Sequence, residues 1–66
     1  MTFKVSNIQA FIEELSVICV ENHISMPSNI EQKSVRNYLT VKLDDMFIAR
    51  LNKANPFAMD RLYKLT

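Results

Sequence analysis

The sequence predicts an all-α fold of three helices, at about residues 6–24, 29–53 and 56–65. Three observations predict it. Two stretches, Ser6-Asn7-Ile8-Gln9 and Ser28-Asn29-Ile30-Glu31, have the form of a capping box, each is followed by apolar residues at helical spacing, and the chain holds no glycine at all. Glycine is the usual residue of tight hairpin turns because it reaches positive φ without steric cost. Its absence favours helices that stop at proline or asparagine, and it excludes the glycine-rich loops that cradle phosphate or dinucleotides.

The first helix is expected to start at Ser6, with Val5 and Ala10 placed as a hydrophobic staple. On it Ile8, Phe11, Ile12, Leu15, Ile18 and Cys19 fall within about 120°, the width of a core-facing stripe. Pro27 forces it to stop before that residue, near 22–25. The second helix is expected from the box at Ser28. Its stripe is Val35, Leu39, Leu43, Met46, Phe47 and Leu51, while Tyr38, Val41 and Ile48 lie in another sector, so it needs more than one neighbour.

An alternative α+β reading places a β-hairpin at about residues 38–51. Leu39, Val41 and Leu43 alternate with Tyr38, Thr40 and Lys42, and Asp44-Asp45 would turn the chain into Met46-Phe47-Ile48-Ala49-Arg50-Leu51. Asp-Asp is a poor two-residue hairpin loop, which favours the helix. The third helix follows from Asn55-Pro56, a capping side chain with proline at the first helical position, and its inner face is Ala58, Met59, Leu62 and Leu65.

Sixty-six residues make one domain, residues 1–66, and a chain of this length buries only about 60% of the surface it exposes when unfolded. Its composition, 48% hydrophobic and 23% charged, is that of a globular protein. One cysteine, Cys19, excludes an internal disulfide, and one histidine, His23, leaves too few soft ligands for a structural zinc site. No cofactor and no metal are expected. Self-association is the remaining way to supplement so small a core.

Charge is bipolar. Residues 1–32 hold Lys4 against Glu13, Glu14, Glu21 and Glu31, a net −3, and residues 33–66 hold seven Lys or Arg against Asp44, Asp45 and Asp60, a net +4. The first residues lack a basic segment followed by an apolar one, and no apolar run approaches ~18 residues, so a cytoplasmic protein with no membrane association is expected.

No residue set carries catalysis, and a non-enzyme is expected. Cys19 and His23 are four apart on the first helix, but Cys19 lies in the core stripe and His23 at the helix end. Glu13 and Glu14 point about 100° apart, so they form no acid/base pair. A stronger feature is Val17, Val20 and Ile24, which align on the back of the first helix, opposite its core stripe. With Tyr38, Val41 and Ile48 they form the candidate protein interface. The expected function is a small non-enzymatic interaction protein, of the inhibitor or adaptor type, acting by binding a larger macromolecule, in the first instance another protein, as a homo-oligomer.

The alternative is a dimeric DNA-binding transcriptional regulator. Residues 45–64 resemble the helix-turn-helix pattern of small repressors: Ala49 stands where a small residue is needed, and Ala54, Met59 and Leu62 at packing positions. They depart from it at Asn52 and Lys53, where an apolar residue and a glycine are usual, and Asp60 and Phe57 stand on the face that would enter the groove. Arg50, Lys53, Arg61 and Lys64 are the candidate nucleic-acid contacts of this reading.

Overall fold

A computed structural model describes all 66 residues. It is an α+β domain: β1 (Thr2–Lys4), α1 (Ile8–Glu21), β2 (Ile30–Val35), β3 (Tyr38–Leu43), α2 (Asp45–Ala54) and α3 (Ala58–Tyr63). The all-α expectation is thereby overturned. The three strands form one antiparallel sheet in the order β1-β3-β2, so β1 and β2 run parallel to each other with β3 between them and α1 as the crossover.

The expected second helix, 29–53, is three elements. Its first half is the β2–β3 hairpin, in which Val35 pairs with Tyr38 across the two residues Arg36 and Asn37, and only its last third is helical. The hairpin weighed as the alternative, at 38–51, is also displaced: its first strand exists, but Asp44-Asp45 is a helix start. Asp44 Oδ1 accepts from the Met46 N–H at 3.1 Å, which makes Asp44 the N-cap of α2. Tertiary pairing explains the failure of the local signal. Leu39, Val41 and Leu43 match a helical stripe and a strand's alternation equally well, and what decides is β1, which lies opposite Thr40, Val41 and Lys42.

Helix 1 starts later than expected. Asn7, not Ser6, is its N-cap, its Oδ1 accepting from the Ala10 N–H at 2.9 Å, while Gln9 instead reaches Glu13. Its far end is a Schellman motif. The His23 N–H donates to Val20 O at 3.3 Å, the Ile24 N–H donates to Cys19 O at 3.0 Å, and His23 itself sits at φ 55°. Without glycine the chain makes its two left-handed turns with His23 and, at the hairpin, Arg36, also at φ 55°. Positive φ at the first of two turn residues suits the right-handed twist of a hairpin.

The core lies between the sheet and the helices. Phe3 from β1, Val41 and Leu43 from β3, Phe11, Leu15, Ile18 and Cys19 from α1, Phe47 and Leu51 from α2, and Ala58, Met59 and Leu62 from α3 are all buried, with Val5 beside them. The ring of Phe3 lies 5.1 Å from that of Phe11 and 5.8 Å from that of Tyr63, so one residue ties the first strand to the first and last helices. The opposite face of the sheet is open, and β2 carries no buried residue.

His23→Gly is expected to stabilise the fold. A left-handed non-glycine residue costs roughly 1–2 kcal/mol, part of which glycine returns through its greater freedom in the unfolded chain, leaving a gain of about 0.5–1 kcal/mol. Thermal unfolding should show a midpoint several degrees higher, at about 4–8 °C per kcal/mol for a domain of this size. An unchanged or lower midpoint would mean that the imidazole makes a compensating contact at the helix end.

Candidate functional site

Helix α1 has three sides, and each does something different. Phe11, Leu15, Ile18 and Cys19 fill the core. Glu14 and Glu21, two turns apart, stand along one flank and meet Arg61 of α3. The Arg61 Nε donates to Glu14 Oε1 at 2.8 Å and Nη1 donates to Glu21 Oε2 at 2.6 Å. Both carboxylates raise the guanidinium pKa above its ordinary value, Glu21 contributing most. The third side faces outward and carries Val17 and Val20, 47% and 74% exposed, with Glu13 beside them.

The six residues expected to form one interface fall in separate places. Val17 and Val20 are exposed on the outer side of α1, but Ile24 is half-buried and packs against the core, because the left-handed turn at His23 ends the helix before it and folds the chain back. Tyr38 is exposed at the hairpin, where Lys4 Nζ lies 5.0 Å from its ring centroid. Val41 is fully buried, and its assignment to an interface is corrected: alternation along β3 points it at the helices, opposite Phe3. Ile48 is half-buried on α2 against the core.

The basic residues are likewise divided. Arg50 and Lys53 are exposed on α2, and Lys64 is exposed just beyond α3. Arg61 is turned inward to α1. The segment that resembles a helix-turn-helix does form two successive helices joined by three residues, with the Phe57 N–H donating to Asn55 Oδ1 at 3.1 Å, but the second has only six residues.

Two features escaped the sequence. The open face of the sheet forms rows across the strands, Thr2–Lys42–Glu31 and Lys4–Thr40–Lys33, with Lys42 Nζ 3.9 Å from Glu31. The other is the outer edge of β2. Ile-Glu-Gln-Lys-Ser-Val has no alternation of apolar and polar residues because only Ile30, at its start, packs against the core and the rest of the strand is exposed on both sides, and so no period betrayed it. Two polar depressions of about 220 and 360 Å³ flank the sheet, both lined by Glu31 and Lys42. At the rim of the smaller one the Met1 amine donates to Asp45 Oδ1 at 2.7 Å, which holds the Asp45 carboxyl below the usual carboxylate range, Lys42 adding to the effect.

No helix is long and apolar enough to cross a membrane. Cys19 is 2% exposed, and burial pushes its thiol above the ordinary value. Comparison with family models, with curated proteins and with solved structures returns no match for this chain.

The native Cys19 thiol should resist alkylation until the protein unfolds, and its raised pKa gives a defined pH dependence. A thiol whose pKa is higher folded than unfolded holds more protons in the folded state, so stability falls as pH rises from about 8.5, the unfolded value, toward the folded one. Denaturant titrations across that range should show a steeper alkaline loss for the native chain than for Cys19→Ala; equal slopes, or rapid labelling of the folded thiol, would contradict this burial. Arg61→Ala, by removing the bridge between α3 and α1, should lower the thermal midpoint at low salt, and the deficit should shrink in molar salt, where such partly exposed pairs are screened.

Proposed function

We propose that this chain is a small non-enzymatic binding module, of the inhibitor or adaptor type, that docks the outer side of α1 on another protein. The observation that carries the reading is the exposure of Val17 and Val20 on a helix whose opposite side is fully committed to the core. Singly exposed valines need no explanation, but two within one turn of a rigid, well-capped helix offer a preformed apolar contact. Burying both is worth roughly 2–5 kcal/mol from transfer alone, enough to centre an interface without supplying all of its affinity. Glu13 and Glu21 border the valines, the second already shared with Arg61, so the occupant that fits is a protein surface with an apolar centre and a basic rim.

The DNA-binding reading draws on Arg50, Lys53 and Lys64, which are exposed. It loses Arg61, the one strong phosphate or base donor within the would-be recognition helix, to Glu14 and Glu21. Protein recognition is therefore the better supported of the two.

The test compares the native chain with Val17→Asp and Val20→Asp. A partner recovered with the native chain is purified and titrated against all three. Each substitution should weaken binding tenfold or more, about 1.4 kcal/mol, while circular dichroism shows the chain still folded, since neither side chain serves the core. Equal affinity for native and variant chains would refute the reading. So would tight binding to duplex DNA whose log K falls steeply with log salt, at about −0.9 per neutralised phosphate, in preference to any protein.

A further inference from the structure

The strand β2 lies at the outside of the sheet, and the hydrogen-bond pattern fixes which of its backbone groups are free. The Leu43 N–H donates to Met1 O at 2.8 Å and the Val5 N–H donates to Leu39 O at 2.9 Å, so Leu39, Val41 and Leu43 turn their amides toward β1. Antiparallel ladders alternate, so Tyr38, Thr40 and Lys42 turn theirs toward β2, where they meet Val35, Lys33 and Glu31. The N–H and C=O of Ile30, Gln32 and Ser34 therefore point outward from the free edge. The side chains of Gln32 and Ser34 are exposed too, because no helix covers this strand as α1 covers β3.

We propose that β2 is a self-association edge, pairing antiparallel with β2 of a second copy about a two-fold axis through Gln32. The backbone allows only registers in which an outward-pointing residue faces another, which excludes every shift by one residue. Among those that remain, an axis at Glu31 sets Glu31 against itself and an axis at Lys33 sets Lys33 against itself, with like charges at the closest side-chain separation. The axis at Gln32 pairs Ile30 with Ser34 and Gln32 with Gln32, forming roughly six backbone hydrogen bonds. It also sets Glu31 of each copy opposite Lys33 of the other, in the pairs where side chains approach most closely. Axes at Ile30 or Ser34 overlap at most three residues of each strand, against five at Gln32, so overlap, ladder parity and charge complementarity select the same register. The product is a continuous sheet made from two three-stranded ones. This inference does not rest on the α1 surface, which belongs to a different element.

Sedimentation equilibrium from micromolar to millimolar concentration should show the mass rising from 7.7 kDa toward twice that value. Amide exchange at Gln32 and Ser34 should slow over the same range. Gln32→Pro removes an outward N–H and no bond to β3, and should leave a folded monomer. Glu31→Lys and Lys33→Glu should each be monomeric, and an equimolar mixture of the two should restore the dimer, because one copy then carries two lysines opposite two glutamates. Circular dichroism establishes that each variant is folded. A native chain monomeric throughout overturns the proposal. So does a dimer that survives both charge variants, a mixture that fails to pair, or a dimer abolished by Val20→Asp while Gln32 exchange stays unchanged.

Discussion

The pairing of β1 with β3 is the constraint on which the rest of the structure depends. The β2–β3 hairpin alone would be a two-stranded ribbon, marginal in water and with one side uncovered. Three residues, Thr2 to Lys4, turn it into a sheet, and they do so across a long separation in sequence, so the entropy of closing that loop must be offset by what the pairing buries. Phe3 supplies much of this. It faces Val41 across the strands and lies between Phe11 and Tyr63, so docking the strand also positions α1 and α3. Val5 continues the ladder through Leu39 and enters the core before Asn7 starts the helix.

The bipolar charge has a structural use that the sequence alone left open. Arg61 from the basic half sits between Glu14 and Glu21 of the acidic half, and this bridge orients a six-residue helix too short to be stable by itself. Partly exposed ion pairs contribute little to net stability, and the docking of α3 comes chiefly from Ala58, Met59 and Leu62. What the charges add is direction, since an aliphatic face alone would permit α3 to slide along α1, whereas two carboxylates two turns apart accept the guanidinium in one place.

What was legible in the sequence divides along physical lines. Helix α1 was visible because its apolar residues share one period over four turns, and α3 because its inner face is short and unambiguous, although it starts at Ala58 without a side-chain cap, two residues after Pro56, while Asn55 closes α2 and only turns the chain by accepting from the Phe57 N–H. The ends were misplaced by up to three residues: Ser6 and Asn7 are both competent capping side chains, and the left-handed turn at His23 closes α1 at Glu21 rather than at 24. Segment 30–43 was not legible. Its outer strand is exposed on both faces beyond Ile30 and so carries no period, its central strand fits two periods, its turn lacks glycine, and β1 is too short to announce itself. The candidate surfaces fared in the same way. Val17 and Val20 were identifiable because they oppose a helical core stripe, whereas Val41 was misassigned because its partner, Phe3, lies far away in sequence. The free edge of β2 could be found only once the sheet order was known.

An exposed strand edge is ordinarily a hazard, and β2 contains the lysine that often guards one. Lys33 alone would repel its own copy in any pairing that sets it against itself, which is how such a guard works. Glu31, two residues away on the same face, changes the outcome: the pair repels in the neighbouring symmetric registers and attracts in one. Indefinite stacking of strands is also disfavoured, because the far side of each sheet ends in β1, a short strand that turns into α1 soon after Val5. The same short charged segment can therefore disfavour open-ended aggregation and still admit a single closed pairing, which is the form of supplement that a core of thirteen side chains in 66 residues can use.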